Sequence, residues 1–361
     1  MKAHKKLRAA GKILLAIAMA AALFLFLQAL LMPKYVSGVH EGRLIGEYYA
    51  ERKSHDVIFL GDCEVYGNIS PLALWESYGI TSYIRGSPQQ LVWQSYYLLE
   101  ETLLYEKPKV VVFSVAAMKY DAPFDEAYNR LTLDGMRLSV PKLRSVWASM
   151  TDGEDWITYV LPILRYHDRW RELGADDVKH LLSAGNVSHN GFVMRCDVKP
   201  VTIIPSGPKL PSYQFGPNSY EYLDKMARLC RDNGIGLVLM KAPSLYPHWY
   251  SQWDEQMSRY ASEHGLSYIN TIELTGEIGL DFNTDTYNAG LNLNLAGAEK
   301  FSKYLGEYLL ERFELADNRA DERLSERWGA KAADYYAMKE AQLADIAAGG
   351  AVETFTYVRG W

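Results

Sequence analysis

Cys63 is the side chain whose sequence context best suits a nucleophile. It follows the apolar run Val57-Ile58-Phe59-Leu60 and closes the tripeptide Gly61-Asp62-Cys63. A side chain just beyond a strand stands at the carboxyl edge of a sheet, where open α/β folds place their ligands. A thiolate attacks carbonyl carbon well when a cation, a helix N-terminus or a histidine lowers its pKa. Asp62 and Glu64 flank the thiol and work against ionisation. Far downstream, Asn288, Asn292 and Asn294 crowd a stretch that runs into Leu293-Asn294-Leu295-Ala296-Gly297. Amides bind sugar hydroxyls without ionising. The plainer alternative makes Cys63 a small buried residue behind the strand and the asparagines a loop that satisfies its own backbone.

Gly61-Asp62-Cys63 and Asn292 to Gly297 together resemble the first and last motif blocks of the SGNH/GDSL hydrolase superfamily. In that family a nucleophile follows the first strand, donors from two later strand ends hold the oxyanion, and a C-terminal histidine oriented by an acid activates the nucleophile. The resemblance implies that Cys63 holds the nucleophile position, where the family usually has serine. It makes Gly86 the second-block glycine, whose N–H would form the oxyanion hole with that of Cys63. Ser114 lies near the family's asparagine donor, and Asn294 belongs to the Leu-Asn-x-x-Gly continuation. The histidine slot falls on Asn292. The acid slot falls near Asn288 or Ala289, with Asp285 the nearest carboxylate.

Asparagine cannot accept and return a proton at neutral pH. Two functional classes follow. One is an esterase or O-acyltransferase with a cysteine nucleophile and an unidentified base. The other is a catalytically silent module that binds glycan or scaffolds a membrane partner. His167, His180 and His189 are the histidines that could fold over Cys63. His55 precedes the first strand on the wrong edge of the sheet, and His248 and His264 belong to the helix after the fourth strand. With its N-terminal anchor the chain resembles the membrane-tethered group that includes the D-alanyl transfer protein of teichoic acid modification and the alginate O-acetylation proteins. That resemblance implies a cell-surface glycan as substrate or ligand, and a membrane-bound O-acyltransferase as partner.

The elements that must position these residues alternate. Strands are predicted at 56–60, 81–85, 109–115, 235–240 and 266–269, and helices at 71–78, 89–105, 219–232, 249–264 and 296–313. Continuous apolar runs such as Val110 to Phe113 suit parallel strands covered on both faces. The expected fold is a three-layer α/β/α, flavodoxin-like (SGNH-type), mostly parallel sheet. The domain spans 56–315. A long insertion at 121–215 is read as helical at 142–149 and 156–171, then as loop with short strands over 186–217. A C-terminal helix and tail occupy 316–361: a charged helix over 317–346, packed back on the domain or free to bind a partner, then a terminal strand at 352–358.

The N-terminus carries a physical signal of its own. Lys2, Lys5, Lys6, Arg8 and Lys12 make 1–12 a basic segment, and 13–32 is an uncharged apolar run. About 20 such residues cross a bilayer. The positive-inside rule keeps the basic segment cytoplasmic, so the main domain is expected outside a plasma membrane that 13–32 spans once. No small-x-small site closes the run, which favours an uncleaved anchor over a signal peptide. Residues 33–55 are a juxtamembrane connector, partly helical over 43–52.

The 361 residues carry a net charge of −6 with no basic stripe beyond the N-terminus, which argues against nucleic acid as a partner. The three cysteines lack metal-ligand spacing and nothing calls for a cofactor; a Cys196–Cys230 bridge is open if the domain is exported. Aromatics make up 13% of the chain, a share that suits either carbohydrate stacking or a large aromatic core. Asn68-Ile69-Ser70 and Asn186-Val187-Ser188 match glycosylation acceptors.

Overall fold

Five apolar segments form one parallel sheet in the computed structural model of the chain, which describes residues 2–32, 42–52, 54–182, 187–204, 206–350 and 352. The strands are β1 (Val57–Gly61), β2 (Ser82–Gly86), β3 (Val110–Ser114), β4 (Gly236–Lys241) and β5 (Ser267–Asn270), ordered β2-β1-β3-β4-β5. Successive side chains point to opposite faces. Ile58, Leu60, Val111, Phe113, Leu237 and Leu239 therefore pack on the helices Val92–Thr102, Pro217–Asp232 and Ser251–His264. Val57, Phe59, Val110, Val112, Val238 and Met240 pack on Pro71–Tyr78 and Leu295–Leu310. This is the three-layer α/β/α arrangement expected from the sequence. The strand order reverses between β1 and β3, and the crevice at that switch point is where such sheets bind ligands. Cys63 follows β1 and Ser114 ends β3.

The insertion holds more helix than its sequence suggests. Besides Val140–Ser149, Ile157–Val160, Ile163–Tyr166 and the 3-10 turn His167–Arg171, it contains Glu126–Leu133 and Ala175–Leu182. The expected strands at 186–217 reduce, among the described residues, to one bridge between His189 and Phe192. The C-terminal helix Glu322–Ala347 docks on the domain. Trp328 stacks on Trp75 at 5.2 Å, and Tyr335 Oη lies 3.0 Å from Ser70 Oγ. The strand expected at 352–358 lies, beyond Val352, outside the described residues.

Three side expectations are resolved by packing. Cys196 and Cys230 are free and belong to opposite faces of the sheet, so the bridge between them does not form. Asn68 is fully buried, with its amide on Ser244 Oγ and Leu293 N, and cannot accept a glycan in the folded chain; Asn186 lies outside the described residues. Much of the aromatic content is core: Trp93, Tyr48, Tyr83, Tyr159 and Tyr335 are among the largest fully buried side chains.

The connector is tied to the end of the insertion by a buried carboxyl. Glu47 accepts bonds from Val187 N–H and Ser188 Oγ. Burial pushes it up to about 7 against the pull of those bonds. Between its ordinary 4.5 and 7 the folded chain holds a proton there that the unfolded chain has lost, so stability falls as pH rises through this window. Glu47→Gln keeps an acceptor for Val187 and supplies a donor for Ser188. It is expected to remove that slope, on the order of 3 kcal/mol, in urea unfolding followed from pH 4.5 to 8; an unchanged slope would assign the dependence elsewhere.

Candidate functional site

β1 ends at Gly61, whose φ of +149° only glycine adopts freely; a Cβ there would lie 2.7 Å from Ser114 Cβ. The chain then turns into the short helix Cys63–Tyr66, capped by Asp62 Oδ1, which accepts the Glu64 N–H at 3.0 Å. Gly86, at the end of β2, lies beneath this turn. A Cβ on it would meet Val65 Cγ2 and Gly61 O at 2.9 Å, so glycine lets the Cys63 turn settle onto the sheet.

The two motif blocks meet. Asn292 Nδ2 donates to Cys63 O at 2.9 Å, across 229 positions of chain. Its Oδ1 accepts from Asn288 Nδ2 at 3.0 Å, and its N–H donates to Asn288 Oδ1 at 2.7 Å. Gly67 makes this possible, because a Cβ at that position would stand 2.9 Å from both Asn292 Nδ2 and Cys63 O. The loop is held from both sides: Thr286 Oγ1 donates to Asn292 O, Tyr246 Oη donates to Ala289 O, and Asn68 Oδ1 accepts the Leu293 N–H.

Other residues singled out by the sequence have different occupations. Asn294 caps the helix Leu295–Leu310, with Oδ1 accepting from Gly297 N–H and Nδ2 donating to Thr284 O. Asp285 faces Lys300 Nζ at 2.7 Å and the Asp281 N–H at 2.9 Å. Its carboxylate is committed to that corner, as expected of a buried charge that needs a cation, and does not orient a base at Cys63. Ser114 Oγ donates to Glu64 Oε2 at 3.1 Å instead of standing free as an oxyanion donor.

That last bond belongs to a buried network the sequence reading did not assemble. Glu64 pairs with Lys241 Nζ, which also donates to Ala242 O at 2.9 Å. Both side chains are about 1–2% exposed. The signal was present: an acid just after one strand and a lysine closing another bring opposite charges to one sheet edge.

The electrostatics hold Cys63 neutral. Cys63 is half-buried as a residue, with its thiol on the buried side. Burial first, then Asp62 and Glu64, push it well above its ordinary range; the Asn292 amide and Lys119 pull weakly the other way. The Tyr66 and Tyr287 phenols near the thiol are both raised, chiefly by burial. Arg195 stands over the Tyr287 ring at 4.8 Å.

The histidines whose side chains are described lie elsewhere. His189 packs against Tyr335 and Met338 Sδ, and burial with Lys331 nearby lowers it to about 3. His167 is exposed beside Asp168. His55 sits on Glu106 at the amino edge of the sheet, His248 against Tyr250 and His264 against Tyr260 and Asp224. The His180 side chain is outside the described residues. Among the described residues no group of three or more His, Cys, Asp or Glu converges as metal ligands. The arrangement can donate and accept hydrogen bonds through amides and phenols; among its described groups no imidazole is placed to take a proton from the thiol.

No protein-family model matches the chain, and no curated protein matches it. Solved structures similar to it include a lipolytic protein of the G-D-S-L family from Desulfitobacterium hafniense DCB-2, at 13% identity over 70% of this chain and 99% of that one, with a TM-score of 0.34. A GDSL-like lipase from Bacteroides thetaiotaomicron VPI-5482 is 11% identical over 74% and 98%, with a TM-score of 0.35. A lipase/acylhydrolase from Enterococcus faecalis is 13% identical over 72% and 98%, with a TM-score of 0.32.

Proposed function

We propose that this chain is a membrane-anchored, GDSL-like module that binds a cell-surface polysaccharide at the Cys63–Asn292 crevice without turning it over. In this reading it works outside the plasma membrane beside a membrane O-acyltransferase, with residues 1–12 in the cytoplasm. One observation carries the silent reading: the Asn292 amide stands where the motif calls for a base, and it is spent on Cys63 O and Asn288. The raised thiol supports it. Supporting the anchor, the helix segment Lys6–Leu31 is long and apolar enough to cross a bilayer. The half-buried Asn288 and Tyr287 offer an amide and a phenol to hydroxyl-rich ligands.

The competing reading, Cys63 as acyl acceptor, draws on the place of this half-buried residue at the strand switch point. One assay separates them. Hydrolysis of p-nitrophenyl acetate by the full chain in detergent is expected to equal that of Cys63→Ala, while binding to purified envelope polysaccharide persists in Cys63→Ala and weakens in Asn292→Ala. Turnover lost on Cys63→Ala would establish the acyl-enzyme instead.

A further inference from the structure

The last turn of the N-terminal helix (Lys2–Leu31) is not free. Residues 6–27 are exposed, but 28–30 are half-buried and Leu31 is buried. What covers them is the insertion: Ile163–Tyr166, His167–Arg171 and Ala175–Leu182 all contact this helix. Arg169 Nη1 donates to Leu31 O at 2.8 Å and Met32 O at 2.7 Å, filling the carbonyls that a helix end leaves open. Its Nη2 pairs with Asp177 at 3.0 Å.

This contact fixes a depth. At 1.5 Å per residue, the apolar run 13–32 is about 30 Å long, the thickness of a bilayer's hydrocarbon core. A segment bonded to its final carbonyls is therefore level with the membrane surface. That segment displays Trp170 at 60% exposure, Leu164 at 49% and Val178 at 47%. Tryptophan favours the headgroup level, where its ring is buried and its N–H stays wet. Charge contributes little. Arg165, Arg169 and Arg171 are balanced by Asp168, Glu172 and Asp177.

We infer that this part of the insertion is a second membrane contact, with Leu164, Trp170 and Val178 seated in the headgroup–acyl boundary around the N-terminal helix. The inference rests on the reading of that helix as an anchor. It gives the insertion a role that the crevice does not: it holds the α/β domain at a set height and tilt over the bilayer.

The test uses the full chain in phosphatidylcholine vesicles, with the photo-crosslinker benzoylphenylalanine at position 164 or 170, or at the exposed Trp147 as control. Flotation of the vesicles reports the anchor independently. The expected result is co-flotation, with several-fold more lipid adduct from 164 and 170 than from 147, unchanged in high salt. Co-flotation with equal adducts at all three positions would overturn the second contact and leave the anchor standing. Failure to float would overturn both.

Discussion

Lys241→Met is expected to destabilise the fold by about 3–5 kcal/mol, because it strands the Glu64 carboxylate in the interior. Glu64, in the short helix after β1, and Lys241, the last residue of β4, are 1–2% exposed. Glu64 also accepts from Ser114 Oγ and Ala242 N–H, so it is ordered where it stands and cannot turn to water without breaking those bonds. A buried pair contributes little net stability, yet removing one member leaves an uncompensated charge. The double variant Glu64→Gln/Lys241→Met should therefore recover most of the loss. Urea unfolding of the full chain in detergent measures both. A single variant that loses under about 1 kcal/mol, well below the usual cost of stranding a buried charge, would mean that the pair is solvated in solution.

Asn292→His is expected to convert Cys63 from an inert thiol to a reactive one. The substitution places an imidazole beside the sulfur, in space that Gly67 already leaves open. An adjacent imidazolium lowers thiol pKa by several units. Intrinsic nucleophilicity falls as pKa falls, which returns part of the gain. Alkylation of Cys63 by iodoacetamide at pH 7, resolved from Cys196 and Cys230 by peptide mass spectrometry, should quicken by roughly tenfold to a hundredfold. An unchanged rate would mean that position 292 does not address the sulfur, and that the match between the motif blocks is one of shape only.

The sequence disclosed the scaffold well because the sheet is built from short apolar runs. Val110 to Phe113 is buried on both faces, and a fully covered strand reads as a continuous hydrophobic segment. Cys63, Asn288 and Asn292 were legible as neighbours because motif residues keep their place relative to strand ends. Two of the singled-out residues have partners that spacing alone does not announce. Asp285 looked like an acid near the base slot, but Lys300, one helix turn into the following element, claims it. Ser114 stands near the donor position, but its hydroxyl is given to Glu64.

The helix Glu126–Leu133 was missed because polar residues share its buried side with Leu131 and Leu133. Asn129, Arg130 and Thr132 are buried, with Asn129 on Gln94 and the Ser149 carbonyl and Arg130 on Asp134 and Thr158. A hydrophobic period is broken where buried positions carry hydrogen-bonding side chains. Arg85 hides the same way inside β2, paired with Glu101.

The most direct test is the pH dependence of Cys63 alkylation in the unaltered full chain, since it needs no knowledge of substrate. Burial, Asp62 and Glu64 disfavour the thiolate, so the reaction should stay slow through neutrality and climb only above about pH 8.5, the ordinary thiol value. A rate that levels off below about pH 7 would reveal an activated thiolate and a proton acceptor beside it, and the silent-module account would be wrong.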